Sequence, residues 1–322
     1  MKGLILGAGR GTRLQPFSDL VPKVLLPVAN KPLIQYNIEK LTVLGITEIG
    51  IVIKPEHREL FELIVGDGTP WGVDISYIYQ HESLGISHAV KQAEPFIKEQ
   101  PFVLLLGDNL LEQSLDELAL PVTNEINDAC IMLGYVTRPV DYGIAELENN
   151  RIVGLEEKPA VPKSNWAVLG AYAFNASIFD AIRSIQPSKR GEYEITDAIQ
   201  WLIDQGKSVG YLTTEQNHSD VGTLPRWLEA NEWMLDKLNR AEQLPLYPSE
   251  KGNIIIPPVI IDPGSEITNS TIGPYASIGP GVRLQGCTIA RSVVLDGTCL
   301  NDASLSHTIV NRKYASLQNG GS

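Results

Sequence analysis

The residues best suited to chemistry stand near the start of the chain, in Gly7-Ala8-Gly9-Arg10-Gly11-Thr12-Arg13, with Lys23 ten residues after Arg13. Glycines lack a Cβ, so backbone N–H groups beside them can approach phosphate oxygens. A guanidinium and an ammonium next to such donors suit an anion of high charge, and a nucleoside triphosphate brings about four negative charges. Two familiar phosphate loops are excluded. The dinucleotide fingerprint requires a third glycine where Thr12 stands. It also requires an acidic strand end about 20 residues on, where Val21-Pro22-Lys23-Val24-Leu25-Leu26-Pro27 appears instead. The other, the P-loop, requires a Gly-Lys-Ser/Thr step that this loop does not contain.

Elements that could position these residues are legible on both sides. Gly3–Leu6 is a short apolar run leading straight into the loop, and Glu48–Ile53, Ile75–Tyr79 and Phe102–Leu106 read as further buried strands. Between the first two lies a helical pattern opened by Pro32, with Leu33, Ile34, Ile38, Leu41 and Leu44 on one face and Gly45 placed to end it. Strand, helix and strand in that order make a parallel unit, so the region from Met1 to about Asn239 is predicted to be α/β. A second helix is predicted from about Gly85 to Ile97 and a third from Leu224 to about Asn239. Asp108, directly after the strand Phe102–Leu106, stands at the sheet edge where open α/β folds place ligands.

The texture changes after residue 243. Leu244–Gly252 has the Pro and Ser content of a linker, and beyond it aliphatic residues recur with a period of 17: Ile261, Ile278 and Leu295; Ile267 and Leu284; Ile255, Ile272 and Ile289. Three aliphatic positions per period with Gly or Pro-Gly turns between them describe a parallel β-helix of three to four coils over 253–312. A sandwich of short strands is the alternative, but it would show longer alternating runs. The tail 313–322 is expected to be disordered.

Composition narrows the partners. A formal net charge of −12 argues against nucleic acid or an anionic membrane surface, which require clustered Lys and Arg. A phosphorylated substrate must therefore meet a local basic site. The three cysteines, Cys130, Cys287 and Cys299, form neither a disulfide framework nor a metal-like spacing, and are expected to be buried thiols in a reducing compartment. No signal segment opens the chain and no apolar run approaches 18 residues, so a cytoplasmic protein is expected.

Leu6-Gly-Ala-Gly-Arg-Gly-Thr-Arg-Leu-Gln-Pro16 followed by Val21-Pro-Lys-Val-Leu-Leu-Pro-Val-Ala-Asn-Lys-Pro-Leu-Ile34 resembles the signature of the sugar-1-phosphate nucleotidyltransferases. Gly7-Ala8 departs from the Ala-Gly usual in that family. The resemblance spans nearly the whole chain and includes the β-helical tail of the long, thymidylyl-transferring form. It implies a Rossmann-like, mostly parallel sheet with helices on both faces, followed by a short left-handed parallel β-helix. It also implies attack of a sugar 1-phosphate, glucose 1-phosphate in the first place, on the α-phosphorus of dTTP, with release of pyrophosphate.

Site residues follow from the same resemblance. Leu6, Gly7, Ala8, Gly9, Gly11, Thr12 and Arg13 would line the nucleotide; Arg13, Lys23, Lys158 and Asp108 would be catalytic. Asp108 and Asp220, the latter in His218-Ser-Asp-Val-Gly-Thr223, would bind Mg2+, which takes few protein ligands and fills its octahedron with phosphate oxygens and water. Many thymidylyl enzymes carry an aromatic residue where His218 stands. Gln80 would pair with the pyrimidine edge and Gly85 would admit the base; a glutamine amide both donates and accepts, which suits thymine or uracil. Tyr142, Gly143, Glu157, Lys158, Val168 and Gly170 would hold the sugar phosphate, and Thr196-Asp197 could equally open a helix. The β-helix would support a homo-oligomer. Rival readings are a uridylyltransferase or another triphosphate specificity, a silent sensor of nucleotide sugars, and, least favoured, acyl transfer, for which the tail offers only His307 and too few coils.

Overall fold

The computed structural model describes residues 1–247 and 250–312. The chain groups into two compact units that do not follow sequence order: Met1–Arg10 with Ile34–His218, and Gly11–Leu33 with Ser219 onward.

The first unit is built on one mixed nine-stranded sheet. Its strands are β1 (Lys2–Leu6), β2 (Glu48–Ile53), β3 (Asp74–Tyr79), β4 (Phe102–Leu106), β5 (Ala129–Tyr135), β6 (Gly143–Glu148), β7 (Arg151–Glu157), β8 (Trp166–Phe174) and β9 (Val209–Thr214). The order is β7-β6-β8-β4-β1-β2-β3, with β5 pairing to β8 and to β9. From β3 through β2 and β1 to β4 every pairing is parallel, while β8 runs antiparallel to β4, β5 and β6. β1, β2 and β4 are almost wholly buried and read as apolar runs, whereas β3, last in the order, is only partly buried; the bounds of all four match the sequence expectation to within a residue. Helix α1 (Leu33–Val43) presents Leu33, Ile34, Ile38 and Leu41 inward, each fully buried and worth roughly 1.5–3 kcal/mol. Gly45 ends it as expected: its φ is 79°, its N–H donates to Thr42 O, and Ile46 N–H donates to Leu41 O.

The predicted helix over Gly85–Ile97 is instead two, α2 (Ile86–Gln92) and α3 (Glu94–Ile97). Pro95 has no N–H to continue a helical ladder, and a second start at Glu94 places it in the first turn, where none is needed. Two amphipathic helices, α4 (Ser177–Ser184) and α5 (Ile195–Asp204), bury Ile178, Phe179, Ile182, Ile195, Ile199 and Leu202 in the main core. Thr196 and Asp197 do lie in the first turn of α5.

The second unit combines the loop Gly11–Leu33, helix α6 (Leu224–Arg240) and the β-helix. Thr223 caps α6, accepting from Arg226 N–H at 3.4 Å. Three parallel sheets form the β-helix, one of strands 254–255, 271–272, 288–290 and 304–306, one of 259–261, 276–278, 293–294 and 309–310, and one of 266–268, 283–285 and 299–301. Ile255, Ile272, Ile289 and Leu305 stack in register, as do Ile267, Leu284 and Leu300. The 17-residue period holds for the first coils and then shortens. Ile278 stacks on Val294, not on Leu295, because Ile272 to Ile278 spans six positions and Ile289 to Val294 only five. Cys130 and Cys287 are buried as expected, but Cys299 is exposed: strand alternation turns Leu300 inward and its neighbours out. No disulfide links the three. The expected disorder of 313–322 falls outside the described residues.

Candidate active site

In the sheet unit the expected residues gather at the carboxyl ends of the parallel strands. Gly7 N–H donates to Val52 O at 2.7 Å and Gly107 N–H donates to Leu6 O at 3.0 Å. These bonds carry the chain from β1 and β4 directly into Gly7-Ala8 and into Asp108, so Leu6, Gly7, Ala8 and half-buried Asp108 are neighbours on one edge. Gly9 follows, exposed. Asn109 is buried and donates through Nδ2 to Leu169 O at 2.6 Å. A Cβ on Gly170 would meet that amide and the Leu106 side chain.

Gln80 directly follows β3 and is 4% exposed, so its amide is positioned rather than solvated. Its Nε2 lies 3.0 Å from His88 Nδ1 and donates to Gly85 O at 3.4 Å. His88 was not readable from sequence as a partner, because an α2 histidine eight residues away becomes adjacent only once the turn at Gly85 is made. Gly85 itself has φ 102°, and a Cβ there would stand 2.6 Å from Tyr193 O and 2.8 Å from Tyr193 N. The glycine is required first by the Tyr193 backbone, whose N–H donates to Leu84 O.

A second cluster in the same unit joins β6, β7, β8 and α5. Glu157 pairs in register with Gly143, and a Cβ on residue 143 would stand 2.9 Å from Glu157 Oε2, 2.6 Å from Thr196 Cγ2 and 3.8 Å from Val168 Cγ2. Thr196 Oγ1 donates to Glu157 Oε2 at 3.4 Å. Arg190 Nη1 lies 3.4 Å from Glu157 Oε1 and 3.4 Å from Glu194 Oε1, and Lys158 Nζ lies 3.9 Å from Glu157 Oε1. Lys158 N–H donates to Tyr142 O, tying the two flanking segments. Burial raises the Glu157 carboxyl above its ordinary value, and the Glu194 charge adds to it, against Lys158 and Arg190. Burial likewise raises Glu194 and Asp197. The segment Arg190–Asp197 resembles a sugar-pocket segment of the family, and the turn in which Ser188 N–H donates to Glu192 O carries Arg190.

In the second unit the loop from Gly11 is a series of tight turns, Thr12–Leu14, Phe17–Asp19 and Lys23–Leu25, pinned by buried Leu14, Phe17, Val24 and Leu25. Gly11 O accepts from Leu14 N–H and from Ser18 Oγ. The turns leave Thr12 and Arg13 exposed and Lys23 half-buried. Arg13 and Asp220 flank Gly222, where a Cβ would lie 3.1 Å from Arg13 Nη2 and 3.5 Å from Asp220 Oδ2. Asp220 is ion-paired with Arg226 in the first turn of α6. His218 Nδ1 lies 3.2 Å from Gln216 O. Among the described residues no three His, Cys, Asp or Glu side chains converge to hold a metal. A divalent ion would therefore rest on few carboxylates and on substrate oxygens, which is the donor set Mg2+ accepts.

The family model for nucleotidyl transferase matches residues 2–237. The chain belongs to that family. It is an enzyme of sugar-1-phosphate nucleotidyl transfer. A glucose-1-phosphate thymidylyltransferase of Streptomyces antibioticus is 38% identical over 311 residues, covering 92% of this chain and 87% of the relative. A low-salt glycan biosynthesis nucleotidyltransferase of Haloferax volcanii is 37% identical, covering 94% and 89%. A Bacillus anthracis structure described as a glucose-1-phosphate thymidylyltransferase with sucrose superposes with a TM-score of 0.69 at 33% identity, over 77% of this chain and 98% of the other. A UDP-glucose pyrophosphorylase solved with UDP-glucose gives 0.65 at 26%, over 73% and 98%. Among the described residues no helix is long and apolar enough to cross a membrane.

Proposed function

We propose that the enzyme joins dTTP and glucose 1-phosphate to give dTDP-glucose and pyrophosphate. The observation that carries the base assignment is Gln80. With Nε2 directed at Gly85 O and His88, its Oε1 is the group left to accept the N3–H of thymine or uracil, whereas cytosine and adenine offer an acceptor there. The curated relatives named as thymidylyltransferases support thymine over uracil.

The sugar 1-phosphate is already an anion, so attack on the α-phosphorus needs no general base, and rate comes from positioning and charge stabilisation. Arg13 would stabilise the departing pyrophosphate and Lys23 the α-phosphate, while Gly9, Gly11 and Thr12 offer the triphosphate backbone donors. Lys158 would aim the attacking phosphate, and Glu157 with Gly143 and Tyr142 would hold the sugar hydroxyls. Asp108 and Asp220 would hold Mg2+, and Asp220 would then share its carboxylate with Arg226. When bound, Mg2+ neutralises charge on the phosphates. The catalytic region would span 1–243 and the β-helix 253–312, joined by 244–252, with the β-helix available for homo-oligomer contacts.

Uridylyl transfer is the second reading, favoured by the UDP-glucose pyrophosphorylase likeness. Pyrophosphate release measured with dTTP, UTP, GTP, ATP and CTP against several sugar 1-phosphates decides. The expected order places dTTP first and UTP second with glucose 1-phosphate; preference for ATP or CTP would overturn the Gln80 reading.

A further inference from the structure

The loop that carries Arg13 and Lys23 is fastened to chain far beyond it. Pro27–Val28 and Lys31–Pro32 form a hairpin whose tip residues Ala29 and Asn30 have φ of 47° and 59°. A two-residue turn of this hand suits a hairpin, but Ala29 carries a Cβ that disfavours the left-handed region, so the tip gains from outside support. Ala29 N–H donates to Asn231 Oδ1 at 2.9 Å, and Asn30 Nδ2 donates to Ile278 O at 2.7 Å.

Asn231 lies on α6 and is 1% exposed. Its Oδ1 accepts a second bond, from Ser277 Oγ at 2.8 Å, and Ser277 is in the β-helix strand 276–278. The amide orientation is fixed chemically, since the Ala29 N–H can only donate. One oxygen thus joins the hairpin tip to the β-helix. The helix is held on both sides of this point. Trp227 Nε1 donates to Pro27 O at 2.6 Å and its ring meets Phe17 edge-on at 5.7 Å, while Glu232 Oε2 lies 2.5 Å from Arg291 Nη1, whose guanidinium sits 4.8 Å from the Tyr275 ring. Asn231 Nδ2 is buried with no hydrogen-bond partner among the described residues. An unpaired buried donor is costly, and an apolar residue would avoid that cost while losing both bonds.

We propose that Asn231 is a positioning residue through which the β-helix, by way of Ser277 Oγ and Ala29 N–H, sets the geometry of the Arg13–Lys23 loop and hence nucleotide affinity. The proposal rests on reading that loop as the triphosphate site, and the experiment separates the two. Steady-state kinetics of the full chain are measured for Ser277→Ala, Asn231→Ala, their double variant and Asn30→Ala, with Arg13→Ala as reference. Each single clamp variant is expected to raise the triphosphate KM about fivefold or more, with kcat and the sugar 1-phosphate KM changed less than about twofold, and the double variant to add nothing to Asn231→Ala, because the bonds act in series. Asn231→Asp, which keeps the acceptor oxygens, is expected to recover part of the affinity. A folded Ser277→Ala with an unchanged triphosphate KM overturns the proposal, as does a fall in kcat with both KM values unchanged, the mark of a merely structural role. If Ser277→Ala does not fold, the milder Asn30→Ala decides by the same criteria. If Arg13→Ala also leaves the triphosphate KM unchanged, the loop assignment fails and the clamp with it.

Discussion

With the sugar-binding role proposed for Glu157, stability and ligand recognition oppose each other at its carboxyl. Its carboxyl is mostly buried beside Glu194, and Arg190 and Lys158 offset only part of the resulting rise in its proton affinity. A folded-state value above the unfolded one means that the stability contributed by the neutral carboxyl is complete below the ordinary carboxyl range and is lost as pH rises through the raised value. Glu157→Gln keeps the size and removes the charge. The variant is expected to melt close to the parent near about pH 4 and above it at about pH 8, since only the parent must hold a buried anion at the higher pH. The same variant should raise the sugar 1-phosphate KM about tenfold, the scale of one hydrogen bond to a charged group. Melting curves across pH give the first result; a variant less stable than the parent at pH 8 would show that Arg190 and Lys158 outweigh burial.

Elements were legible in proportion to how local their causes are. Strands β1, β2 and β4 and helix α1 announce themselves because burial on both faces, or on one helical stripe, is written into consecutive residues. Strands β5 to β9, where antiparallel and parallel pairings mix, are not delimited by local pattern: β8 carries a register shift between Val168 and Tyr172, around Gly170, and such irregularities answer to neighbours distant in sequence. Among candidate site residues, Asp108, Arg13 and the segment from Arg190 are singled out by motif, whereas the partners of His88 and Asn231 come only from the fold. The β-helix period was readable until one corner lost a residue. That repeat also makes a testable unit, because each coil contacts chiefly its neighbours. Leu284 is 2% exposed between Ile267 and Leu300, so Leu284→Ala is expected to cost about 2–5 kcal/mol, read as a lower unfolding temperature in calorimetry. An unchanged transition would mean that this coil does not belong to the cooperative core.

At the scale of the whole molecule, the grouping of Gly11–Leu33 with α6 and the β-helix gives the tail a mechanical relation to the loop carrying Arg13 and Lys23 that sequence order conceals. If the clamp through Asn231 operates, nucleotide binding should be felt along it. Ligands stabilise whatever they order, and the effect appears as slower amide exchange in the segments tied to the site. Hydrogen exchange with and without dTTP is therefore expected to show added protection first in Gly11–Leu33, then in the first turns of α6, and in Ala276–Ile278, where Ile278 O accepts from Asn30 and Ser277 Oγ donates to Asn231. Cys299–Asn301, which pairs with Arg283–Gln285, should exchange at the same rate in both states. Protection confined to the loop would mean that the β-helix is a passive support. Uniform protection of every coil would point instead to ligand-driven assembly, because contacts between copies would shield the β-helix without regard to distance from Ser277.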